Sequence, residues 1–172
     1  MVAGAKRVYI CLRFASAKMK YFTCKKQVKK QPFFMKELKQ RSSCPVSTSL
    51  DVLGDKWTLL IIRDMVFASK STYGQFLQSS EKMATNILAD RLAVLEAQGI
   101  LTKAVAADKK SKFTYRLTEK GVDIIPIIIE FVLWGAKHCP TIADPGLLAE
   151  LQAGKDAAVE KYQQLAREKA LA

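Results

Sequence analysis

Four cysteines and one histidine are the residues of this chain best suited to metal or redox chemistry, and their spacing builds no such site. Cys11, Cys24, Cys44 and Cys139 form no CxxC pair, and His138 alone cannot complete a zinc ligand set. Nor does any acid–base pair cluster around a nucleophile, so a thiol-based enzyme is disfavoured and neither a cofactor nor a metal is expected.

A different chemistry is legible in ATNILADRLAVLEAQGIL, residues 84–101. Leu88, Leu92 and Leu95 recur at helical steps, with Ile87 and Val94 beside them, and mark a core face. Thr85, Asn86, Ala89, Asp90 and Ala93 are then left pointing outward. Such a helix start suits a DNA groove. Asparagine can make paired hydrogen bonds to an adenine edge, threonine can bond a base or phosphate or touch a thymine methyl, and alanine lets the backbone sit deep. Arg91, at the edge of the face, is placed to reach a phosphate. Taken alone, the same residues also fit a blander role, with Thr85 a cap and Asn86 merely solvated. Lys109, Lys110 and Lys112 crowd a second polar stretch, DKKSK, where a charge run is either solvated or set to neutralise phosphates.

These residues need a frame. CPVSTSLDVLGDKW predicts a short helix over 46–53 ended by Gly54, with Asp55 capping a helix over KWTLLIIRDMVF. In that helix Trp57, Leu60, Ile61 and Met65 share one face while Leu59, Ile62 and Val66 fill the next, which predicts burial on most sides. A third helix fits 73–79, capped by Thr72, and a fourth fits 84–98, with Gly99 as its C′ residue. Two strand-like runs follow. In the second, Phe113, Tyr115 and Leu117 alternate with Thr114 and Arg116, the signal of a half-buried strand, and DKKSK becomes a hairpin tip.

Thr118 then caps a long helix, EKGVDIIPIIIEFVLWGAKH, that Pro126 is expected to kink. Its apolar residues circle the axis almost completely, so a second subunit is expected to cover part of it. A last amphipathic helix fits 145–170, with Leu147, Leu151, Ala158, Tyr162 and Leu165 on one side. The predicted fold class is mainly α with a small β-hairpin: a helix–turn–helix with a wing, a long dimerisation helix and a C-terminal helix. In that frame the helix over 73–79, led by Thr72 and Tyr73, crosses the DNA backbone, and the helix over 84–98 enters the major groove.

Composition bounds the remaining choices. The 172 residues carry a net charge of +12. Residues 1–34 hold nine Lys/Arg and no acid, whereas the other 19 bases face all 16 acids, leaving only +3 on the body. A high isoelectric point is therefore no argument for nucleic acid here. The leader makes a poor secretory signal, because Arg7 and Arg13 break its apolar run. A basic anion-binding tail and an over-extended reading frame starting in fact at Met35 both stay open, and the abrupt change at FFMKELKQ favours the second. The run IIPIIIEFVLWG is too short for a bilayer and contains Glu130, so no membrane partner is expected. A cytoplasmic protein with reduced thiols is expected.

The segments CPVSTSLDVLGDKWTLLIIRDMVF, ATNILADRLAVLEAQGIL and YRLTEKGVDIIPIIIEFVLWGAKH resemble, over about residues 44–139, the HxlR-type winged-helix transcriptional regulators of bacteria, within the MarR-like superfamily. The resemblance implies a homodimer, built from the first helix and the helix after the wing, that binds operator DNA. Leu50, Ile128, Phe131 and Trp134 are then the candidate interface residues. It divides the chain into the leader 1–34, a winged-helix DNA-binding domain over 35–139 and a C-terminal helical extension over 140–172. It also supports Met35 as the start, since relatives begin shortly before their Cys-Pro pair. Cys44 matches a cysteine that senses oxidants or electrophiles in some relatives, and is a candidate redox switch with Cys139 as its partner; the other reading is an inert, packed thiol. The wing departs from the family, because ADKKSK lacks proline. A winged-helix module that binds protein rather than DNA is the alternative function. No effector and no ligand pocket are specified by the sequence.

Overall fold

The computed structural model describes residues 42–105, 112–141 and 143–171, all within one compact unit, Met35–Ala172. The leader, and the proposed start at Met35, lie outside the described residues. So do Lys109 and Lys110.

Helix α1 (Pro45–Leu53) carries proline in its first turn, where a missing N–H costs nothing, and it buries no residue completely. Helix α2 (Lys56–Phe67) is capped by Asp55, whose carboxylate accepts from the N–H groups of Trp57 at 3.0 Å and Thr58 at 3.2 Å. Ile61, Ile62, Met65 and Val66 bury, so this helix is the central rod of the fold. Helix α3 (Tyr73–Leu77) starts in a capping box between Thr72 and Gln75 and stops two residues short of the predicted end.

Helix α4 (Thr85–Ala97) buries Leu88, Leu92 and Leu95 as predicted. It ends in a Schellman motif. Gly99 takes φ +66°, Gly99 N–H donates to Glu96 at 3.0 Å, and Ile100 N–H donates to Leu95 at 3.0 Å. The chain then forms β1 (Leu101–Val105) and β2 (Phe113–Leu117), antiparallel in a register from Leu101↔Leu117 to Val105↔Phe113. Tyr115 and Leu117 point into the core, but Phe113 does not. Near the hairpin tip it stays 42% exposed, with the Lys103 ammonium 4.2 Å from its ring centre.

The long helix after the wing is two pieces. Helix α5 (Glu119–Val122) is a single turn capped by Thr118, and α6 (Ile125–His138) begins afresh with Pro126 in its first turn. Proline thus starts a helix instead of kinking one, because its missing N–H falls where no intrahelical acceptor exists. Gly121 of α5 lies against the hairpin, and a Cβ there would collide with the Ile100 carbonyl and come within 2.9 Å of Leu117 Cδ2. The single C-terminal helix predicted is likewise two, α7 (Pro145–Ala153) and α8 (Lys155–Leu171), hinged at Gly154. Leu151 and Ala158 enter the same core as Ile62, Leu92 and Ile129, so residues 145–171 pack as part of the winged-helix body. Phe67 and Tyr162 meet edge to face at 5.1 Å, and Arg167 pairs with Glu119 at 3.0 Å.

Candidate nucleic-acid interface

Burial of Leu88, Leu92 and Leu95 sets the rotation of α4 about its axis, and Thr85, Asn86, Ala89 and Asp90 all face solvent. The N-cap of α4 is Ala84, with no side-chain cap, so Thr85 is the first helical residue and not the cap. Met83 and Leu88 hold the N′ and N4 positions and both belong to the core, the arrangement of a hydrophobic staple. This amino-terminal turn therefore owes its position to apolar anchoring and keeps its polar side chains unoccupied by capping. Its entry is set further by Tyr73, whose hydroxyl donates to the Thr85 carbonyl at 2.8 Å. At the other end Lys120 Nζ donates to the Gln98 carbonyl at 2.8 Å, and Thr118 Oγ1 lies 2.7 Å from the Gly99 carbonyl. Both ends of α4 are thus pinned.

Two of the sequence-predicted contacts have partners within the chain. Thr72 is buried; its hydroxyl and its N–H both bond Gln75 Oε1 at 3.0 Å, so it caps α3 and offers little to a phosphate. Arg91 reaches back toward Asp55 at 3.5 Å and Asp90 at 3.4 Å, tying α4 to the cap of α2. Tyr73 is half-buried on α3, and Lys112 is exposed at the foot of β2.

A buried polar network frames the helix–turn–helix. Asp64 of α2, with its side chain only 8% exposed, accepts from Arg63 Nη2 at 2.7 Å and from Lys70 Nζ at 2.7 Å. Arg63 also pairs with Glu81 at 2.8 Å, in the turn that leads to α4. Burial by itself would raise the Asp64 carboxyl, but hydrogen bonds from Lys70, Arg63 and Ser79 outweigh it and hold the group below the usual aspartate range. Sequence reading missed this network; the signal was Asp64 inside an otherwise apolar face.

The candidate interface residues divide. Leu50 is exposed on α1, and Phe131 and Trp134 are 57% and 61% exposed on α6. Ile128 is only 3% exposed and packs in the chain's own core, so it is not available to a second copy. Val46 joins Leu50 four residues away, and Ile127 joins Phe131 and Trp134 at steps of four and three, extending the two apolar stripes. Cys44, the N-cap of α1, and Cys139, the C-cap of α6, both carry exposed free thiols. Among the described residues no group of His, Cys, Asp and Glu is disposed to hold a metal ion, and no helix is long and apolar enough to cross a membrane.

Residues 52–143, from the end of α1 through α6, match the HxlR-like helix-turn-helix family. The chain belongs to that family. An HxlR-type regulator of transcription is accordingly what the winged-helix architecture serves. The chain is similar to the uncharacterised HTH-type transcriptional regulators YdeP and YybR of Bacillus subtilis (strain 168). Identity to YdeP is 30%, over 55% of this chain and 73% of that protein. Identity to YybR is 32%, over 57% and 78% respectively. Among solved structures, PA1607 is 36% identical with a TM-score of 0.54, covering 61% of this chain and 73% of that one. The redox regulator HypR in its oxidised form is 29% identical with a TM-score of 0.51, covering 57% of this chain and all of that one. Neither the HxlR match nor its boundaries extend to α7 and α8.

Proposed function

We propose that this HxlR-type regulator acts in a bacterial cytoplasm as a homodimer that reads an inverted-repeat operator through the first turn of α4. The observation that carries the reading is the exposed Thr85-Asn86 turn, with Ala89 and Asp90 behind it, on a helix anchored at both ends. A pinned helix presents its donors at a fixed angle, which a groove reader requires. The exposed stripes on α1 and α6 supply the surface through which two copies pair, putting two such turns one DNA turn apart, about 34 Å. Lys112 and the wing lysines Lys109 and Lys110 then serve the phosphates.

The exposure of Cys44 and the likeness to HypR support a thiol-responsive dimer, with Cys139 as the second thiol. The testing experiment is selection of bound sites from a genomic fragment pool, with and without diamide. An inverted repeat is expected, and its enrichment should change with diamide. Asn86→Ala should then cost about 1–3 kcal/mol on the selected operator and relax base choice. Equal loss on operator and random DNA would remove its reading role. A dimer that enriches no site at all would point to the protein-binding module instead.

A further inference from the structure

Between the end of α2, the wing strand β2 and helix α8 lies a cleft of about 280 Å³ that the DNA-reading face does not use. Its apolar wall is Met65, Tyr115, Leu117 and Ala166, and its polar wall includes Ser69, Ser71 and Thr114. Three cations line it, Lys70, Arg116 and Lys169, and no acid among the described residues does. Asp64 neutralises one of them, Lys70, at 2.7 Å. Lys169 Nζ meets only the neutral Ser69 Oγ, at 2.7 Å, and the Arg116 guanidinium has no partner among the described residues. Among the described residues neither of these two cations has an acidic partner, and both line one concave, partly apolar space.

We propose that this cleft binds a small amphipathic anion, of the class of an aromatic carboxylate. The carboxylate would lie between the Arg116 fork and the Lys169 ammonium, where paired hydrogen bonds to a planar anion are available. The ring would lie on Met65, Tyr115 and Leu117. The volume lies just below the usual range for ligand pockets, about 300–1,000 Å³, which sets a small size class. The site is this chain's own construction in one respect. Ala166 and Lys169 lie on α8, outside the residues matched to the family. Its floor touches the reading domain, because Tyr115 N–H donates to the Ser71 carbonyl at 2.7 Å, directly before α3.

The test needs no DNA, so it stands or falls apart from the operator reading. The full-length protein is titrated with benzoate, 3-phenylpropionate and, as the neutral control, benzamide, following backbone amide resonances. Saturable shifts at Ser69, Ser71, Thr114 and Arg116 are expected with at least one carboxylate. The dissociation constant should rise about tenfold or more in Arg116→Met and in Lys169→Met, and benzamide should bind at least about tenfold more weakly. Lys169 is exposed near the chain's end, so its variant keeps the test valid if the Arg116 variant fails to fold. Absence of saturable shifts with both carboxylates up to 10-millimolar order (~10 mM) would overturn the proposal, since affinity weaker than that is no specific site. Equal binding by benzamide, or affinity unmoved by Lys169→Met, would overturn it as well.

Discussion

Replacing Asp64 by asparagine removes a charge from the buried network that frames the helix–turn–helix while keeping the side chain's volume. The carboxylate is 8% exposed and holds Arg63 at 2.7 Å and Lys70 at 2.7 Å. Removing one member of a fully buried ion pair costs about 3–5 kcal/mol. Here the two cations keep 30% and 19% exposure, so water recovers part of their solvation, and asparagine retains one acceptor oxygen. A loss of about 2–3 kcal/mol at pH 7 is expected. Urea denaturation of both proteins from pH 7 to pH 2.5 is the assay. Because the folded-state carboxyl lies below its ordinary value, the wild-type advantage is complete above the unfolded pKa, near 4. It drains as pH falls through the folded pKa, where Asp64 itself gains a proton. The two stability curves should therefore stay parallel down to about pH 5 and converge below about pH 4. Other carboxylates are common to both proteins and cancel in the difference. A gap under about 0.5 kcal/mol at pH 7, or a gap unchanged at pH 2.5, would refute the assignment of Asp64 as the charged centre of the frame.

Three further outcomes are expected. Trp134→Glu should weaken self-association by about 30-fold or more, measured by sedimentation, with little change in the fold of each chain, since the side chain is 61% exposed; an unchanged sedimentation profile removes α6 from the interface. Cys44→Ser should abolish the diamide-induced change in DNA binding and any covalent dimer on a non-reducing gel, and retention of both would assign the switch elsewhere. Lys112→Ala should weaken operator and random DNA alike and reduce the salt slope by about one, and an unaltered slope would exclude a phosphate contact.

The residues that could be read from sequence are those whose roles are settled within a few positions. Asp55, Thr72 and Thr118 cap helices because their oxygens accept from N–H groups two or three residues ahead. Gly99 closes α4 because only a residue free to adopt positive φ completes that turn. The inward side of α4 followed from three leucines at helical spacing, and with it the outward list Thr85, Asn86, Ala89 and Asp90. Outward periodicity did not reveal that Arg91 lies within ion-pair distance of Asp55, because that acceptor sits on a neighbouring element.

Residues 124–138 mark the boundary of what pattern alone conveys. A helix apolar on every side announces burial without saying what covers which side. Local chemistry and periodicity sufficed for the winged-helix frame, the caps and the exposed first turn of α4, since each depends on contacts within one or two turns of chain. It took the packed fold to send Ile128 inward and Phe131 and Trp134 outward, to break the terminal rod at Gly154, and to lay α8 against β2. Those outcomes depend on which distant surfaces meet, and burial is indifferent to sequence order: Leu151 and Ala158 complete a core begun at Ile61 because they fill its remaining space.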